Sequence, residues 1–401
     1  MDDLTKENSS FISNRLQSLG DLESENEISL TKTRLIQSGQ KILDLTNSNP
    51  TQVGLEFPTS VLSHILSNLN VSVYDPIPEG LELTRGEIAS EYRKRGIIAE
   101  TNQLHLTAST SEAYSYLFKL LTNPGDEILT PNPGYPLFHF LLGFENLKEV
   151  HYDLKTDPLT GQWVYDAETI ASSISTKTKA IVLVSPANPT GSKTTETFWE
   201  EWDSFGINLP IIIDEVFEPY DFSGNPHHLP QFPKYPVFVC NGFSKLLALP
   251  QTKLAWILNL SPEPYFAQMQ KHLSFLADTY LSVNSFIQLA AKELLPWKTM
   301  IQNRIRTRVM RNRALCFEFV TQSTVVKKIP ETEAGWYYLL ELETEQKDES
   351  IVLDILTSTG VFVQPGSWYG FSHNKCILVI SLITEEETLE KGLNLLQTFL
   401  K

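Results

Sequence analysis

Residues 237–257 read Val-Phe-Val-Cys-Asn-Gly-Phe-Ser-Lys-Leu-Leu-Ala-Leu-Pro-Gln-Thr-Lys-Leu-Ala-Trp-Ile. An apolar strand leads into a short polar loop with Ser244 and Lys245, and a second apolar run follows. A second cation, Lys253, lies in the same stretch. An ammonium held between buried segments loses hydration, so its pKa falls and the neutral amine can attack a carbonyl carbon, as in a Schiff base. A lone loop lysine is more often solvated, so the rest of the chain must supply the company that chemistry needs.

Outward from this stretch, apolar runs recur at strand length. Residues 127–130, 180–184 and 209–213 each end in a polar cluster: Pro131 to Pro136, Ser185 to Gly191, and Asp214-Glu215. Strands apolar on both faces, separated by helix-length segments, predict a parallel sheet covered by helices. In such sheets ligands bind beyond the carboxyl ends of the strands. Asn188, Asp214 and Lys245 all fall there. Residues 104–107 form a further strand that feeds Ala108-Ser109-Thr110-Ser111 and a helix through Leu121. That turn reads either as an anion site at a helix N-terminus or as an ordinary hydroxyl cap. Helices are expected over 58–69, 86–96 and 262–313. An α+β region follows from 325, with strands at 336–342, 361–363 and 377–382 and helices at 350–358 and 389–400.

The chain has 401 residues, 48 acidic against 32 basic, and a formal charge of −16. That length suggests two joined domains, and the acidic balance disfavours nucleic acid or an anionic membrane as partner. Cys240, Cys316 and Cys376 form no framework, which fits a reducing, cytoplasmic setting. No stretch has the length of a membrane span, and the opening residues lack a leader pattern. The eight histidines show no metal-ligand spacing, and His227-His228 reads as a solvated loop pair.

Four motifs in order carry a resemblance: Ser185-Pro186-Ala187-Asn188-Pro189-Thr190-Gly191, Asp214-Glu215, Ser244-Lys245 and Val363-Gln364-Pro365-Gly366. From about Leu43 to its end the chain resembles a fold-type I pyridoxal-phosphate aminotransferase of the class I/II group. The resemblance implies a large doubly wound, mostly parallel sheet domain and a smaller α+β domain. Residues 1–50 would form an arm and part of the small domain, 51–300 the cofactor-binding domain and 301–401 the small domain. It implies that Lys245 joins the cofactor aldehyde and later carries the substrate proton. Asp214 would pair with the pyridinium nitrogen, Asn188 would reach the phenolic oxygen, and Tyr135 would lie over the ring. Ser109, Thr110, Ser111, Ser244 and Lys253 would hold the phosphate. Tyr74 would reach a partner subunit's phosphate, making a homodimer. Amino donor and oxo acid would react alternately at one site. Alternatives on the same fold are a β-lyase or a decarboxylase, and a non-catalytic sensor is disfavoured because residues 1–40 are too short and acidic for a DNA-binding domain.

Four departures stand against this pattern. Gly242 replaces a usual serine, Lys253 a usual arginine and Phe217 a usual tyrosine. Val379 stands where the family carries the arginine that clamps the substrate carboxylate, and no arginine follows Arg313. Arg34 and the cluster from Arg304 to Arg313, mostly read as a solvated helix face, are the candidates to replace it.

Overall fold

The computed structural model describes residues 13–17, 19, 26–224, 227–281, 283–327 and 332–401. Of the expected N-terminal arm, residues 1–12, 18 and 20–25 lie outside the described residues. In chain order we label Leu43–Asp44 β1, Leu104–Thr107 β2, Glu127–Asn132 β3, Lys148–Asp153 β4, Thr178–Val184 β5, Ile211–Asp214 β6, Val237–Gly242 β7 and Ala255–Asn259 β8. Val326–Lys327 is β9, Tyr337–Leu342 β10, Val361–Phe362 β11, Gln364–Pro365 β12 and Cys376–Ser381 β13.

Seven strands form the large sheet in the order β2-β8-β7-β6-β5-β3-β4. Its neighbours from β7 through β4 pair in parallel, and β8 runs antiparallel between β2 and β7. The central strands β5, β6, β7 and β8 are mostly apolar because both faces are covered, whereas edge strand β4 is mostly polar. Val182, Ile212, Phe238 and Ile257 pack on one side with Leu117, Phe118, Phe138 and Leu273. Leu183, Ile211, Ile213 and Val239 belong to the cluster on the other side, with Trp202 and Ile305. The mostly parallel α/β class expected from the sequence is therefore the observed one.

A smaller antiparallel sheet has the order β9-β10-β13-β12. β1 pairs in parallel with β11, so residues from both ends of the chain meet there. One helix, Lys298–Gln322, runs without a break across position 300 and joins the two regions. Its arginines are tethers. Arg304 donates to the carbonyls of Gly54 and Glu56, Arg306 to that of Pro219, and Arg308 to those of Val53, Ile383 and Thr384. The solvated-face reading holds best for Arg311, exposed beside Glu386. Among the described residues no helix is long and apolar enough to cross a membrane.

Candidate active site

The register of the large sheet brings distant segments to one edge. Gly242 of β7 and Thr107 of β2 both pair with Ala255 of β8, while Asp214 of β6 lies between Val184 of β5 and Cys240 of β7. The segments leaving those positions carry Ser109 to Ser111, Asn188, Lys245 and Lys253. Tyr135 follows the end of β3.

Lys245 sits in a single helical turn, Phe243–Leu246, and not in an open loop. Tyr220 fixes it by donating its hydroxyl to the Lys245 carbonyl at 2.8 Å. The amine lies 4.6 Å from the ring centre of Trp336 and 5.7 Å from that of Phe217. Burial lowers its pKa to about 8, partly opposed by the charge of Asp214. Asp214 is nearly enclosed and accepts from the Tyr114 hydroxyl at 2.8 Å and the Val216 N–H at 3.0 Å. Burial outweighs these bonds and raises its pKa to about 6. A carboxylate so placed has donors and the field of Lys245 but, among the described residues, no directly ion-paired cation, and it would bind a cationic ring nitrogen favourably.

Asn188 is buried in a loop closed by the Ala187 N–H to the Ser192 carbonyl, 2.8 Å. Gly191 takes φ +70°, and an added Cβ there would lie 2.6 Å from the Ala334 carbonyl oxygen, so the loop needs glycine to approach the segment that leads into β10. Among the described residues, the Asn188 Oδ1 has no hydrogen-bond partner. A buried, unsatisfied amide oxygen is costly unless a ligand meets it. Tyr337 of β10 lies near Ser48 and Asn188, whose polar groups partly oppose the rise that burial causes at its hydroxyl, and stands beside Tyr135, whose hydroxyl burial and Asp214 push up to about 12. Tyr135, Asn188 and Tyr337 line a common cleft with Thr46, Ser48, Gln364, Trp368 and Tyr369.

Ser109 is a helix cap, its hydroxyl accepting from the Glu112 N–H at 3.1 Å. Thr110, Ser111 and Ser244 are half-buried, and Lys253 is exposed in a left-handed conformation, φ +57°. The half-buried hydroxyls of Thr110 and Ser111 at a helix start, with Lys253 at the same sheet edge, suit a phosphate. Together with Asn188 Oδ1 and the Lys245–Asp214 pair, they fit the cofactor expected from the sequence. Gly242 has a packing reason: a Cβ there would lie 2.9 Å from that of Ala255. Phe217 packs edge-on against Trp336 and Tyr337, 5.4 and 6.2 Å between centres. Tyr74 is not brought to the cleft of its own chain; it stands 70% exposed.

Three readings need correction. His227 is not solvated: its side chain is 1% exposed, with Nε2 3.3 Å from Glu215 and 3.2 Å from Arg95. Arg34 pairs with Glu27 on an exposed helix, and the Arg304 to Arg313 cluster is bound to backbone, Glu386 and Phe222. Neither replaces a carboxylate clamp in the cleft. Tyr114 and Tyr337 escaped the sequence reading because an aromatic residue in a helix or strand looks like core. The signal available was their polar tip, which needs a buried partner.

The sequence profile described as aminotransferase class I and II matches residues 46–394. The glutamate-pyruvate aminotransferase AlaA of Haemophilus influenzae is 28% identical over 375 residues, 89% of this chain and 91% of that protein. The alanine aminotransferase of Mycobacterium tuberculosis is 24% identical, covering 84% and 81%. Among solved structures, an alanine aminotransferase from Pyrococcus furiosus superposes with a TM-score of 0.86 at 24% identity, covering 97% and 99%. An aspartate aminotransferase variant from Thermus thermophilus gives 0.82 at 20% identity, covering 96% and 99%.

Proposed function

The chain belongs to the class I and II aminotransferases, pyridoxal-phosphate enzymes, and on that premise we propose that it moves an amino group from a donor to an oxo acceptor by a ping-pong mechanism. The observation that carries this reading is the amine of Lys245, pKa about 8, facing the field of Asp214 across adjacent strand ends. Pyridoxal phosphate, when bound, supplies the aldehyde carbon and a ring able to accept an electron pair. Asp214 would hold the ring nitrogen protonated, Asn188 the ring oxygen, and Tyr135 one ring face. Thr110, Ser111, Ser244 and Lys253 would hold the phosphate, with the Ser109 cap fixing the helix start. Lys245, whose lowered pKa leaves a minor but accessible neutral fraction at physiological pH, would take the proton from the substrate carbon and return it. Trp336 and Phe217 keep water from that amine.

The exposure of Tyr74 supports a homodimer in which it completes the partner's phosphate site. We also read residues 51–300 as the cofactor-binding domain, with 301–401 and part of 1–50 forming the small domain, and the cytoplasm as the location. The test is Lys245→Ala. Borohydride should then fix no cofactor to the protein, and transfer should fall by about 10⁴-fold. Trapping on another lysine sinks the assignment. Product appearing without any acceptor would instead indicate a lyase.

A further inference from the structure

The register of the small sheet defines the substrate side of the cleft. Tyr337 pairs with Ser381, and Val379 pairs with both Leu339 of β10 and Gln364 of β12. Directly paired residues share a face of a sheet, and so do residues two apart along a strand. Tyr337 and Gln364 line the cleft, so Val379 lies in the same row, packed and fully buried with Leu339 beside it. Behind the cleft wall, the position expected to carry an arginine is therefore apolar and brings no charge to it.

Apart from His139 at the rim, the rest of the lining among the described residues carries no ionised side chain. Among the described residues, Thr46, Ser48, Tyr135, Asn188, Gln364 and Tyr369 offer hydroxyls and amides. His139 is at the rim, more than half exposed and 3.7 Å from the carboxylate of Glu149. Gln364 is the polar group nearest in register to Val379. Its Oε1 accepts from the Tyr369 hydroxyl at 2.6 Å. That bond orients the amide, and the Nε2 hydrogens have no partner among the described residues.

A carboxylate moved into such a wall would lose hydration without gaining a cation. A neutral acceptor pays far less desolvation and can take the amide hydrogens of Gln364. We propose that one half-reaction uses an amine whose neighbouring group is a neutral hydrogen-bonding one, a hydroxyl or carboxamide, and that Gln364 recognises that group. The inference rests on the aminotransferase reading. The amine-bearing carbon loses its hydrogen and amino group and gains an oxo oxygen. The acceptor carbon loses its oxo oxygen and gains both, so no further oxidant is needed.

The test is the donor half-reaction of the holoenzyme, followed by absorbance. Phenylalanine is compared with phenylalaninol and phenylalaninamide, and alanine with alaninol and alaninamide. The neutral members should exceed their parent acids at least about 10-fold in kcat/KM, the worth of one well-made hydrogen bond plus avoided desolvation. Gln364→Leu should reduce that ratio about 10-fold, through KM more than kcat, and Gln364→Glu should do the same with little change of volume. Calorimetry with non-reacting ligands gives an independent readout: 3-phenylpropionamide should bind the holoenzyme about 10-fold tighter than 3-phenylpropionate. Preference for the amino acids overturns the inference and leaves the aminotransferase reading standing. A neutral preference unmoved in both Gln364 variants overturns the role of Gln364. No amino transfer from either series, nor from any other amine, overturns the underlying reading as well.

Discussion

Asp214 and Glu215 are consecutive carboxylates at the end of one strand, both buried, and they behave oppositely. Asp214 shares its face with Tyr114, and burial lifts its pKa to about 6. Glu215 faces the other way. Arg95 grips it with two bonds of 3.0 and 2.8 Å, Asn241 donates at 3.0 Å, and His227 closes the set. These partners drive its pKa far below the usual carboxylate range despite complete burial. Burial alone does not decide the fate of a carboxylate; the presence of a matched cation does. The Glu215 side is satisfied within the chain and acts as a structural pin. The Asp214 side is left short of positive charge, as a group kept for a ligand should be.

The contrast can be broken most strongly at the pin. Arg95→Met strands a buried charge, and denaturant titration should show a loss of about 3–5 kcal/mol, much of it recovered when Glu215 is also made apolar. Asp214→Asn should do the reverse, leaving the fold at least as stable but lowering the transfer rate about 10²–10³-fold, measured as kcat at saturating cofactor. A similar stability loss in both variants would erase the distinction.

A pH series sharpens it. The folded pKa of Asp214 is raised, so the folded state binds more protons between about pH 4 and 6. Stability from this group is full below its unfolded pKa and is lost as pH rises through about 6. Cofactor-free protein should therefore lose up to about 3 kcal/mol across that window relative to Asp214→Asn. Glu215 has the opposite sign: its depressed pKa gives stability above its ordinary value that is lost as pH falls below it. Acid unfolding should thus report Glu215, and the slope between pH 4 and 6 Asp214. The smallest effect is at Asn241, which donates to Glu215 and accepts from the Gly242 N–H at 2.7 Å. Asn241→Ala should cost about 1–3 kcal/mol in the same titration.

The front of this pair was legible in the sequence and the back was not. Apolar runs ending in Asn188, Asp214 and Lys245 disclose a parallel sheet with a shared edge, because strand period and chain direction are local properties. The partners of Glu215 come from segments far apart, Arg95 after a helix and His227 in a proline-rich loop, and no local pattern joins them. The single turn holding Lys245 is too short to show helical periodicity. β4, Lys-Glu-Val-His-Tyr-Asp, lies at the sheet edge with mostly polar residues and carries little strand signal.

The pairing of β1 with β11 has a consequence for the protein's biogenesis. During synthesis Leu43 emerges about 300 residues ahead of its strand partner Val361. At about 5–20 residues per second that wait is on the order of tens of seconds. The large sheet, whose strands all lie between 104 and 259, can close while the ribosome is still working. The two-stranded β1–β11 pair has to wait until Val361 is made, and β1 meanwhile lacks its strand partner. A nascent chain stalled before Val361 should therefore leave the residues around Leu43 open to protease while the large sheet is already protected.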